Sequence, residues 1–205
     1  LINTSVIQKY KLVFDKLNRK NIFVVTSAGN SNKLNGEYIN QPTTPCDEGL
    51  SITLCANFPS TLSYDSPNVF SVGAFDKNNQ RMFFDNPNPP NAIASNFGAP
   101  GLITIWAPGK EINTIDKIFD GYYLDLFSKE TGTSFAAPQV AATLALLKSW
   151  KRNLTGAEAK LILRDTSMAI TDPANTPPEK SFYPPSTVKP VTMQGLDAFA
   201  AVTHP

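Results

Sequence analysis

Histidine is almost missing from this chain: the only one, His204, is the penultimate residue. With two cysteines, Cys46 and Cys55, it forms no zinc-ligand spacing, so no metal site of the Cys/His kind is expected. Charged residues are sparse, at 17% of the 205, and they sum to a net charge of +1. No cluster of lysine and arginine is present to track phosphates, which excludes a nucleic-acid partner. No apolar run approaches the roughly 20 residues of a membrane-spanning helix. No internal repeat is evident. The hydrophobic share is 41%, and a chain this long buries roughly 70% of its unfolded surface, so one core and one domain over residues 1–205 are expected.

Two segments stand out against this background. Gly132-Thr133-Ser134-Phe135-Ala136-Ala137-Pro138 runs into Gln139-Val140-Ala141-Ala142-Thr143-Leu144-Ala145-Leu146-Leu147, a small-residue and leucine pattern suited to a buried helix. The first turn of a helix presents free N–H groups and the positive end of the dipole, so Ser134 sits in a field that favours negative charge on oxygen. Taken alone, Ser134 is equally an ordinary helix N-cap. The second segment, Ile22 to Asn30, reads as an apolar strand at 22–26 followed by a small-residue turn, Ala28-Gly29-Asn30. Pro138 falls in the first turns of the helix, where a missing N–H costs least. A Gly-x-Ser-x-Gly elbow is absent around Ser134, which excludes an α/β-hydrolase esterase.

Together these segments resemble the nucleophile helix and the oxyanion strand of subtilisin-like serine proteases. The likeness continues through Val69–Asp76 with Asn79-Gln80-Arg81, Ala94–Gly98, Trp106–Gly109 and Gly195–Val202, so it spans nearly the whole chain. It implies the C-terminal portion of a three-layer αβα catalytic domain with a mainly parallel sheet, lacking the N-terminal strands. It further implies a serine endopeptidase: Ser134 as nucleophile, Asn30 as oxyanion donor, Thr133 as support for the oxyanion, and Ala28, Gly29 and Gly132 lining the substrate site. The related sedolisins carry aspartate at the oxyanion position, so Asn30 points to subtilisins proper.

In that family the triad arrives in the order Asp, His, Ser. No histidine precedes Ser134, and His204 lies beyond the closing helix, where it reads as an exposed terminal residue rather than a base. The expectation is that aspartate and histidine come from an upstream N-terminal portion acting as partner, and that this chain alone is inactive. The alternative is a degenerate subtilase that binds peptides or partners without turnover. Polypeptide substrates and a secreted, extracellular or periplasmic setting follow from the resemblance. Cys46 and Cys55 then either staple a surface loop, which an oxidising compartment favours, or remain half-buried thiols. Cofactors are expected to be none: calcium belongs to many intact subtilisin domains, but Thr104 stands where some carry a liganding aspartate. Gln139 is a second departure, standing where histidine is frequent.

The rest of the chain follows from local signals. Val6, Tyr10, Val13, Phe14 and Leu17 recur at helical spacing behind a Ser5 cap. A long connection spans 31–68, strands are expected at 69–75 and 102–106, and a hairpin lies around Ile112 to Tyr123. The helix from Ser134 should run over about 133–150. Thr155-Gly156-Ala157-Glu158 forms a capping box that opens the next helix, through about Asp165. Asn153-Leu154-Thr155 and Asn3-Thr4-Ser5 fit the glycosylation pattern, and helix capping explains both. Residues 85–91 and the proline-rich 171–190 read as surface connections.

Overall fold

The computed structural model describes residues 4–31, 34–35, 59–84, 94–98, 102–115, 127–171 and 193–203. Cys46, Cys55, His204, Asn3, the loop 85–91 and nearly all of the proline-rich segment lie outside these residues.

The chain begins with α1 (Thr4–Arg19) and β1 (Val24–Ser27), then the two-residue β2 (Leu34–Asn35) and a 3-10 turn at Ser60–Ser63. Next come β3 (Val69–Phe75), β4 (Phe97–Gly98), β5 (Ile105–Pro108), β6 (Ile112–Ile115) and β7 (Phe127–Glu130). The C-terminal part holds α2 (Thr133–Trp150), α3 (Gly156–Asp165), β8 (Met168–Ile170), β9 (Met193–Gly195) and α4 (Ala198–Thr203).

β3 is the spine. All seven of its residues are buried, as a continuous apolar run in a parallel sheet requires. β1 and β5 pair with it in parallel on either side, β9 joins β5 in parallel, and β8 closes the sheet antiparallel. The strand order is β1-β3-β5-β9-β8. Side chains alternate across this sheet, so β3 serves two cores. Phe70, Val72 and Ala74 face α2, α3 and α4 through Ala136, Val140, Leu144, Leu147, Ala159, Leu163 and Ala201. On the other face, Val69 meets Phe14 of α1, while Phe75 joins Ala28, Ile103, Trp106 and Ile170. The Trp106 ring lies across Gly73, where an added Cβ would come within 2.5 Å of it. Helices on both sides of a mostly parallel sheet give the three-layer α/β architecture expected from the sequence.

Several boundaries differ from expectation. Ser5 lies inside α1 rather than capping it. β5 begins at Ile105; apolar Leu102, in a turn, and Ile103, in a single bridge, are buried just before it. The return strand of the ribbon is β7, at 127–130, beyond Tyr123. Gly195 is a strand residue paired with Trp106, and the closing helix starts only at Ala198, with the Asp197 carboxylate accepting from the Ala200 N–H at 2.8 Å.

Candidate active site

The carboxyl end of β1 and the amino end of α2 meet above the sheet. Asn30 follows β1 by three residues, and its side chain turns towards α2. Its Oδ1 accepts from both the N–H of Thr133, at 2.9 Å, and the hydroxyl of Thr133, at 3.0 Å. The same hydroxyl accepts from the Gly29 N–H at 3.2 Å, so Thr133, which is buried, locks the turn 28–30 to the helix mouth. With Oδ1 committed to Thr133, Nδ2 is the donor end of the amide that lies towards Gly132. It lies 3.2 Å from where a Cβ on residue 132 would stand, and Gly132 leaves that space open.

Ser134, the second residue of α2, is exposed. It lines an open groove of about 370 Å³ together with Val25, Ser27, Ala137, Pro138 and Ala141. Its own N–H belongs to the first helical turn, where no intrahelical acceptor exists. Asn30, far from Ser134 in sequence, is thus hydrogen-bonded to its immediate neighbour, Thr133. Ala28 is placed differently: its side chain is fully buried against the Trp106 cluster, and its neighbour Gly29 has φ +99°, a conformation that favours glycine.

The turn that leads into Ser134 is also held from behind. The Gly132 N–H donates to Gly109 O at 2.7 Å, and a Cβ on Gly109 would meet Ala74 Cβ at 2.5 Å and Gly132 O at 2.9 Å. Pro138 cannot donate to the carbonyl of Ser134, which removes one bond from the turn. Gln139 restores stiffness: its Nε2 donates to Pro108 O at 2.6 Å and to Phe135 O at 2.9 Å. Its role in tying α2 to the end of β5 was not legible in the sequence, where it appeared only as a departure from histidine. Asn96 was equally hidden, because its partners, Ala28, Gly29 and Ser31, lie 65 or more positions away.

Displaced ionisation occurs away from this cleft. Burial lowers the pKa of Lys148, and that of Lys160 to about 8. Glu158 is held down at about 2, first by its hydrogen bond from Lys151 and then by those from Thr155. Among the described residues, no three of His, Cys, Asp and Glu come together as a metal site, and the Thr104 hydroxyl is occupied by the Ser71 N–H at 3.1 Å. No helix among the described residues is long and apolar enough to cross a membrane.

A strand-end asparagine is hydrogen-bonded to the mouth of an apolar helix that opens Gly-Thr-Ser. The family model described as the Subtilase family matches residues 3–194. The chain belongs to the subtilase family. Subtilases are serine peptidases that act on polypeptides, and the parallel sheet with flanking helices is consistent with their α/β fold. No curated protein matches this subtilase chain.

Proposed function

We propose that this chain supplies the nucleophile and the oxyanion donors of a subtilisin-like serine endopeptidase. Ser134 Oγ attacks the scissile carbonyl, and its proton passes to a histidine imidazole, which delivers it to the departing amine. Water then attacks the acyl ester on Ser134 with the same imidazole as base, regenerating the hydroxyl. Asn30 Nδ2 and the Ser134 N–H donate to the carbonyl oxygen as it gains charge, an interaction that acts mainly in the transition state. Thr133 supports this by holding Asn30 rather than by touching the oxyanion, and Gly29 and Gly132 leave room for the substrate main chain. Ala28 backs that turn from the core.

The histidine and its aspartate come, in this reading, from an N-terminal portion that docks in the groove beside Ser134. Without them the serine is a poor nucleophile at neutral pH. Losing one triad member costs on the order of a millionfold in kcat, a magnitude measured on subtilisin rather than on this chain. The reading carries a secreted, extracellular or periplasmic setting with it, and no metal is proposed within the chain.

The observation that supports it is the double hydrogen bond from Thr133 to Asn30 Oδ1, because it leaves Nδ2 as the end of the amide able to donate to a substrate oxygen. Mixing the chain with its upstream polypeptide and adding a fluorophosphonate probe tests it. Labelling at Ser134 that needs both components is the expected result. Absence of labelling in the mixture would instead favour a degenerate, peptide-binding subtilase.

A further inference from the structure

Asn96 meets the turn that carries Asn30 at three points. Its N–H donates to Gly29 O at 2.7 Å, its Nδ2 donates to Ala28 O at 2.9 Å, and its Oδ1 accepts from the Ser31 N–H at 2.9 Å. Every residue of the turn 28–31 is therefore gripped through its main chain except Asn30. The grip is buried, since Asn96 is only 2% exposed. Its root is fixed to the sheet by Ser95. The Ser95 N–H donates to Met82 O at 2.9 Å, its hydroxyl accepts from the Ala74 N–H at 3.0 Å, and its carbonyl accepts from Arg81 Nη1 at 2.9 Å. Rigidity thus passes from β3 through Ser95 and Asn96 to the turn. Such a grip needs a donor and an acceptor on one short planar group; ionised aspartate has two acceptors and leucine has neither.

We propose that Asn96 is a positioning residue for the oxyanion donor, holding the main chain of 28–31 so that Asn30 Nδ2 stays aimed at the cleft beside Ser134. This rests on Asn30 having the role given above. Asn96 touches neither substrate nor reacting atoms; it acts only through Asn30.

The test uses the chain assembled with the polypeptide that supplies its aspartate and histidine. Asn96→Asp and Asn96→Leu are each made in the unmodified background and in Asn30→Ala. At neutral pH either variant should lower kcat about 10- to 100-fold, the scale of a misplacement near 1 Å, with KM within about twofold. In the Asn30→Ala background the same changes should lower kcat by less than about twofold, because their effect runs through the missing amide. The carboxyl introduced by Asn96→Asp, once protonated, donates to Ala28 O and accepts from the Ser31 N–H again. The activity of that variant relative to unmodified protein at the same pH should therefore rise as pH falls through the titration of a buried carboxyl.

Equal losses in both backgrounds, or an unchanged kcat, would overturn the proposal. If the unmodified assembly hydrolyses nothing, the protease reading fails by itself, and amide exchange then decides the role of Asn96. Asn96→Leu should speed exchange of the Thr133 N–H, which is bonded to Asn30 Oδ1, by about tenfold or more. The Ala159 N–H in α3 serves as the unaffected control. An unchanged Thr133 rate, or equal acceleration at both amides, refutes positioning.

Discussion

Lys160 shows how a single residue can work against its own solvation. Its ammonium donates to Ser63 O at 2.6 Å and Ser66 O at 3.0 Å and lies 5.6 Å from the centre of the Phe70 ring. Burial lowers its pKa from 10.5 to about 8. Between those values the unfolded chain binds a proton that the folded chain does not, so stability rises with pH across the window and is lowest below about 8. Comparing melting temperatures of the unmodified protein and Lys160→Met from pH 7.5 to 10 should show the difference widening in favour of the unmodified protein, by roughly 1–3 kcal/mol in total. A pH-independent difference would discard this account. None of it is legible in the sequence, where only the apolar positions of α3 stand out. The carbonyls that receive the ammonium are 94 and 97 positions away.

At the scale of the element, α3 is the clearest case of local sequence setting local structure. The Thr155 hydroxyl accepts from the Glu158 N–H, while the Glu158 carboxylate accepts from the Thr155 N–H at 2.8 Å. Thr155→Ala should lower stability by about 1 kcal/mol at neutral pH, read by urea denaturation. The carboxylate pKa lies below its ordinary value, so its contribution is present above about 4.5 and fades as pH falls towards 2. The cost of Thr155→Ala should shrink over the same interval; a constant cost would mean that the box is not the source. Such reciprocal caps were legible because both partners lie within one turn. β8 and β9 were not, since each is three residues long and β9 meets β5 at a single pair, Trp106 with Gly195. Strands that short carry no periodicity, and their existence depends on a neighbour far away in sequence.

For the whole molecule, the telling feature is what α2 leaves uncovered. Its sequence suits a helix buried all round, yet only the face with Ala136, Val140, Thr143, Leu144 and Leu147 packs on the sheet. The opposite side, from Ser134 and Pro138 through Ala141 and Ala145 to Leu146 and Trp150, is exposed, with Trp150 at 65%. β1 flanks it with half-buried residues and pairs, among the described residues, only with β3. Covering a few hundred Å² of such surface is worth several kcal/mol at about 25 cal/mol per Å². If the N-terminal portion proposed above docks on this face, adding it should raise the melting temperature and shift Trp150 emission to the blue, with Trp106, already buried, as the constant background. A chain that melts cooperatively as a monomer on its own, with emission unmoved by the addition, would contradict the docking. Of the candidate site, Ser134 and Asn30 stood out in the sequence because one lies near the start of a distinctive local run and the other ends one. Thr133's lock and the clamp of Asn96 were not, because they exist only where distant segments meet.

The two bonds from Thr133 to Asn30 have a consequence for charge. A half-turn of that amide would set its NH₂ against the Thr133 N–H, which cannot accept, so the orientation is favoured before any ligand arrives. A carboxylate at position 30 would still satisfy Thr133, and the fold would barely register the exchange, but in the reaction proposed above it would present an anion where one must form. Integrity and reactivity are thus divided between the two ends of a single side chain.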